Sequence, residues 1–193
     1  MRIAECDIIF IAGVHRLHGD HWMKRWGERF PNTHHVLFKT DRAGYGDALA
    51  KLHIVLRKTK RPVVFVTHGV GANVLALASE LLTNFPAHGA FIVNPWKLCC
   101  LPEVLPEGKR ESGGELPQSD VSEDYSQNPF SFPVVFVASR TGDGVSFSEI
   151  QQLGEAWKVP VFDAGEAGKL DETSGHGPWP EGLMSFAGFL KRL

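Results

Sequence analysis

The sequence predicts a three-layer α/β sandwich, one domain spanning residues 1–193, built on a six-stranded parallel sheet. Three observations carry this. Six short runs rich in β-branched and aromatic residues alternate with helix-like segments, the pattern of a parallel sheet covered on both faces. One of these runs, Val63 to Val66, is unbroken and so reads as a strand buried on both sides. It ends in the glycine-bearing turn Thr67-His68-Gly69-Val70-Gly71, which leads directly into a run of strong helix formers. Right-handed crossovers then predict the strand order 2-1-3-4-5-6.

Asp7 to Gly13 (DIIFIAG) is the first buried strand. Asp20 to Phe30 follows as a helix, with Trp22, Met23, Trp26 and Phe30 near one face. Val36 to Phe38 is a short second strand, and Tyr45 to Leu56 is a helix whose apolar positions recur at helical spacing. The strand opening at Pro62 comes next, then a helix from Ala72 to Leu82. Gly89 to Asn94 is the fourth strand and Pro133 to Ser139 the fifth. A helix from Phe147 to Trp157, a sixth strand from Val159 to Asp163 and a last helix from Glu181 to Leu193 complete the chain. Pro95 to Phe132 departs from the alternation. It is rich in Pro, Glu, Ser and Gly, with only Trp96 to Leu101 apolar, and reads as a long excursion of the kind that is often functional or disordered.

Composition narrows the class of function. With 43% hydrophobic and 22% charged residues, the chain has an ordinary globular balance. A net charge of −2 and the lack of a basic stretch argue against nucleic acid as a partner. The apolar run Ile8 to Val14 is short and follows Glu5 and Asp7, unlike a secretory signal, and nothing reaches the length of a membrane span. Three cysteines, two of them the adjacent Cys99 and Cys100, fit a reducing compartment and a cytoplasmic location. That pair reads as small core or loop residues, and Trp22, Trp26 and Trp179 as core.

No cofactor is implied. Gly69-Val70-Gly71 lacks the third glycine of a dinucleotide fingerprint and follows the third strand instead of the first. His15, His18 and His21, with Asp20 and His68, are ligand types that zinc takes, but their spacing matches no standard zinc signature.

A buried strand, a tight turn and a helix frame a nucleophile elbow, G-x-S-x-G, and here the central position is Gly69. Three stretches in order, Ile11 to Trp22 (IAGVHRLHGDHW), the elbow, and Ser174 to Gly182 (SGHGPWPEG), carry a resemblance. Over nearly its whole length the chain resembles the small, cap-less α/β-hydrolases related to retinoblastoma-binding protein nine and the bacterial YdeN proteins. That resemblance implies the α/β-hydrolase fold and the chain order Ser, Asp, His for a catalytic triad. It places His68 on a family histidine, Gly69 where the serine belongs, and Lys169 of Gly168-Lys169 where the histidine belongs. The acid position falls on Gly142; the adjoining Asp143 either fills it through a loop shift or is a turn residue. The resemblance also implies an oxyanion hole from an amide near Val14 or His15 and the amide of Val70.

A lysine is protonated at neutral pH and cannot accept a proton as a histidine does. The expectation is a pseudoenzyme, with a pocket of Val14, His15, His68, Val70 and Lys169 that binds a small anionic ligand or a protein partner. Lys169 either faces the elbow and completes an anion site, or faces solvent and leaves a vestigial pocket. The alternative is an active hydrolase of a small ester or amide that uses a displaced group among Asp143, Ser139 and Ser146.

Overall fold

The computed structural model describes residues 1–14, 19–96, 128–142 and 145–193, with Arg42 described by its backbone alone. After a 3-10 turn at Ile3–Glu5 come β1 (Asp7–Gly13), α1 (Trp22–Arg29), β2 (Thr33–Phe38), α2 (Arg42–Leu56) and β3 (Val63–His68). They are followed by α3 (Gly71–Leu77), α4 (Ser79–Leu82), β4 (Ala87–Val93), β5 (Val134–Ala138) and α5 (Phe147–Trp157). β6 (Val161–Asp163), a 3-10 turn at Glu172–Ser174 and α6 (Pro180–Leu190) complete the described chain. The strands form one sheet in the order β2-β1-β3-β4-β5-β6, and every pairing is parallel. This is the predicted topology. Among the described residues no helix is long and apolar enough to cross a membrane.

The unbroken apolar runs of β1, β3 and β5 are buried at every position because helices cover both faces. Alternate residues divide between two cores, following the period-two pleat of a strand. Ile9, Ile11, Phe65, Ile92 and Phe136 meet the α2, α3 and α5 side, with Leu52, Leu75 and Ile150. Ile8, Phe10, Val66 and Phe91 meet the α1 and α6 side, with Trp22, Trp26 and Phe186. The three tryptophans read as core pack there, Trp22 against Trp179 at 5.1 Å and Trp26 against Trp179 at 6.0 Å between ring centres.

Several boundaries differ from the sequence expectation. β2 begins at Thr33, not Val36, because an edge strand can carry polar residues: His35 stacks on Phe10 at 5.1 Å instead of joining an apolar run. α1 begins at Trp22, since His21 is its N-cap, and Asp20 stays outside to pair with Arg25. α2 begins at Arg42, because the Asp41 carboxylate accepts the Gly44 N–H at 2.8 Å and caps the helix ahead of two glycines. The helix after β3 is broken at Ala78 into α3 and α4, and nothing in the contacts explains the break. α6 opens one residue early, on Pro180, where a missing N–H has no helical partner to lose, and it stops at Leu190. β4 starts at Ala87 and β6 is confined to Val161–Asp163.

Most of the Pro95 to Phe132 excursion, residues 97–127, lies outside the described residues, as do Cys99 and Cys100. Its end is not polar filler. Phe130 and Phe132 are each only 8% exposed and join the core, on Trp157 and Phe65 respectively. Two phenylalanines two residues apart, next to the β5 strand, were the available signal.

Two contacts fix the sheet at its ends. At one end the Asp7 side chain, 4% exposed, accepts the N–H groups of Lys60 and Arg61 at 3.0 and 2.9 Å and lies 3.3 Å from His34 Nε2. Burial pushes its pKa up, but the two amides and His34 outweigh that and hold it below the usual value. At the other end, a Cβ on Gly71 would overlap the Ile11 carbonyl group, so only glycine lets α3 start this close to β1. Asp7→Asn is expected to cost about 1–3 kcal/mol at neutral pH by denaturant unfolding. Because the folded-state pKa of Asp7 is depressed, its contribution is present above the ordinary carboxylate range and fades as pH falls through the folded value. The variant's stability should therefore fall less steeply than the wild type's below about pH 4. Gly71→Ala is expected to cost about 3 kcal/mol in the same measurement, the upper end for overpacking against backbone.

Candidate functional site

The register brings the ends of the strands to one edge, with Gly13 opposite Phe38, His68 opposite Val93 and Ala138 opposite Asp163. The loops after β1, β3 and β5 all leave from this carboxyl edge, where open α/β sheets bind ligands. Gly69 turns the chain from β3 into α3 with φ of +56°, in the left-handed region. Its N–H donates to the Val93 carbonyl at 3.0 Å, and its carbonyl accepts the N–H groups of Ala72 and Trp96, both at 3.3 Å. Among the described residues, a Cβ built on Gly69 would meet no heavy atom within 4 Å. The turn thus has the left-handed geometry of a nucleophile elbow, which glycine adopts without strain, and among the described residues the space above it is open. Val70 follows as the residue before α3, and a Cβ on Gly13 would lie 3.4 Å from its side chain, so the end of β1 lies beside the elbow.

The segment that carries Lys169 crosses this edge without regular structure, and three successive carbonyls are held by three different elements. Gly168 O accepts from Asn94 Nδ2 at 3.4 Å, Lys169 O from His68 Nε2 at 2.9 Å and Leu170 O from Trp22 Nε1 at 2.8 Å. Its amides are held as well: Ala167 N–H donates to Ser139 Oγ at 3.0 Å, Gly168 N–H to Thr141 Oγ1 at 3.1 Å and Lys169 N–H to Ser174 Oγ at 2.9 Å. Asn94, at φ of +42°, also accepts the Ser139 N–H at 2.9 Å, which ties the end of β5 into the same knot. A Cβ on Gly142 would sit 3.3 Å from Gly168 O and 3.5 Å from Asn94 Nδ2. The residue before Gly69 thus touches the backbone of Lys169, and Gly142 borders Gly168.

Asp171 is the buried carboxylate of the site. It accepts from Thr173 Oγ1 at 2.6 Å and from both the N–H and Oγ of Ser174 at 3.1 Å. Burial pushes its pKa up, but Thr173, Ser174 and the nearby His68 bring it below the usual range, so it is ionised at neutral pH. The sequence does not mark Asn94, Trp22, Asp171 and Ser174 as holders of the site. The one local signal was the Asp-x-x-Ser spacing, which lets Asp171 cap the 3-10 turn at Glu172–Ser174.

Of the expected pocket, Val14, His68, Gly69, Val70, Gly142 and Lys169 are described; His15 and Asp143 lie outside the described residues, as does His18. His21 is a helix cap whose ring lies 5.1 Å from that of His68, and among the described residues no group of three or more acidic, His or Cys side chains is set to hold a metal. The two serines considered as displaced nucleophiles serve the backbone. Ser139 Oγ accepts the Thr141 and Ala167 amides and donates to the Gly165 carbonyl. Ser146 caps α5 in a reciprocal box with Glu149.

The serine hydrolase family profile matches residues 8–188. No curated protein matches the chain. Among solved structures, a protein described as a YdeN-like hydrolase from Pectobacterium atrosepticum superposes with a TM-score of 0.76 at 22% identity, covering 96% of this chain and 90% of that one. The ydeN gene product of B. subtilis gives 0.64 at 16% identity over 96% of this chain and 99% of that one. Zea mays acyl-protein thioesterase 2 gives 0.58 at 14% identity, covering 97% and 93%. At these identities the likeness speaks for the fold, which is that of the α/β-hydrolases. From β1 into α6 the matched profile follows the sheet and its helices, and the chain belongs to the serine hydrolase family as a small α/β-hydrolase.

Proposed function

We propose that this protein is a non-catalytic serine hydrolase homologue whose elbow pocket binds a small anionic ligand or an acidic group of a protein partner. The observation that carries this is Gly69: a left-handed elbow turn with no hydroxyl and, among the described residues, open space above it. Without a nucleophile there is no oxygen to form an acyl-enzyme. Lys169 stands in the segment where the resemblance puts the general base, and Gly142 borders it where the acid belongs. Loss of a triad nucleophile costs about 10⁶ in kcat, and the remaining binding groups sustain roughly 10³–10⁴ over the uncatalysed rate. What the pocket retains is suited to binding. Amides near Val14 and at Val70 would serve as donors, and Lys169 would supply a positive charge on a segment whose backbone is held at every residue from 167 to 169. The bonding of Ser139 and Ser146 weighs against the alternative, a working hydrolase with a displaced nucleophile.

The purified protein is expected to show no labelling by a fluorophosphonate probe and only background turnover of short acyl esters. Stoichiometric labelling of any serine would overturn the non-catalytic reading. Gly69→Ser alone is expected to stay unlabelled and to lose about 1–3 kcal/mol of stability, the cost of a non-glycine residue in this backbone region. The triple variant Gly69→Ser, Gly142→Asp, Lys169→His is expected to label and to turn over esters weakly, because a serine needs its base and the base its orienting acid. Acetate titrated into the wild type is expected to shift the Val70 amide resonance, and Lys169→Ala to weaken that binding; an unmoved Val70 would rule out the anion pocket.

A further inference from the structure

The residues of α6 divide cleanly between two faces. Gly182, Phe186, Phe189 and Leu190 are buried, the last three in the core on the α1 and α6 side of the sheet. Glu181, Met184, Gly188 and Lys191 are exposed, Met184 at 75%. Lys191 caps the helix in helical conformation, so these four positions form one stripe along its outer face, with the 3-4-3 spacing of a coiled-coil seam. From Gly182 to Leu190 the helix carries no charged residue, whereas a helix at a protein surface normally turns charged and polar residues outward. Among the described residues, a Cβ on Gly188 would meet no heavy atom within 4 Å, so the backbone lies open one turn beyond the protruding Met184. Neither Glu181 nor Lys191 has an ion-pair partner among the described residues.

We infer that this stripe is an interface with a second copy of the chain, formed by antiparallel packing of the two α6 helices about a two-fold axis level with Phe186. Position 186 lies midway between 181 and 191, and also midway between 184 and 188. A single register therefore sets Glu181 against the partner's Lys191 and Met184 against the partner's Gly188, and the two-fold axis repeats each contact. Ser185 and Ala187 flank the stripe with short side chains that let the helices approach closely. A glutamate at the start of a helix and a lysine at its end also suit the helix dipole, so the two charges alone would call for no partner. The dipole gives no reason for an exposed Met184 or for an uncharged face between the charges. A parallel pairing would set each charge against its own kind, which favours the antiparallel one. One helix of 11 residues, about 16 Å long, makes a contact at the low end of interface sizes, so the association is weak and depends on concentration. It does not rest on the reading of the elbow.

Sedimentation velocity of the wild type from about 20 μM to about 1 mM tests this, the range in which a small interface associates. A monomer–dimer equilibrium is expected. Met184→Glu is expected to weaken it at least about tenfold, because an unpaired carboxylate would be buried at two symmetric contacts. Glu181→Lys and Lys191→Glu each make both cross-helix pairs repulsive, and each is expected to weaken dimerisation about tenfold. The double variant Glu181→Lys, Lys191→Glu exchanges the charges at unchanged net charge and is expected to dimerise again, which also shows that both substitutions are tolerated by the fold. A wild type that stays monomeric at about 1 mM overturns the second copy as the occupant of this face. Dimerisation that Met184→Glu and both single reversals leave unchanged puts the contact elsewhere and overturns it too. A double variant no more associated than the single reversals overturns the antiparallel register, and the inference with it.

Discussion

A segment that crosses the interior edge of a sheet without joining it must find a donor for every carbonyl it buries. Residues 168–170 meet that requirement with side chains, and the need accounts for much of the site's composition. Asn94 at the end of β4, His68 at the end of β3 and Trp22 at the start of α1 each spend a side-chain N–H on one of three consecutive carbonyls. The three elements are thereby locked to one another through a strip of backbone that belongs to none of them. Each residue is also committed elsewhere: Trp22 packs against Trp26 and Trp179, Asn94 receives the Ser139 amide, and His68 leads directly into the elbow. Exchanging any one of them would disturb core packing and site geometry together.

This interlock explains how a hydrolase framework keeps its shape when the reacting side chains are not those of a triad. The elbow's path is set by the close approach of Gly71 to Ile11 and by the hydrogen bonds of Gly69, all of them backbone features. The segment bearing Lys169 is held through its carbonyls and amides. The side chains at 142 and 169 are consequently not what holds these backbone paths, whereas position 69 favours glycine through its left-handed φ. Among the described residues a Cβ at 69 meets no atom within 4 Å but must accept a left-handed backbone, and one at 142 needs a few tenths of an ångström of adjustment, so the cost of substitution there is local.

The sheet was legible in the sequence because its strands are short, apolar and separated by periodic helices, and the pattern of burial along β1, β3 and β5 leaves little ambiguity. Helix starts were less legible where the cap is an unusual one. His21 caps α1 through a ring nitrogen, and α2 hides its first turn behind Gly44 and Gly46. The elbow and the positions aligned with a triad could be found from local motifs. The residues that hold them could not, because the contacts span 74 positions from Asn94 to Gly168, 101 from His68 to Lys169 and 148 from Trp22 to Leu170. Nothing local in Trp22 distinguishes an indole that only fills space from one that also anchors a distant carbonyl.

The two described ends of the excursion between β4 and β5 are both secured. Trp96 donates its N–H to the elbow carbonyl of Gly69, and Phe130 and Phe132 insert beside Trp157 and Phe65. Because the Gly69 carbonyl accepts both the Ala72 and the Trp96 N–H groups, a change that swings this one peptide plane would release the first turn of α3 and the chain leaving β4 in a single move.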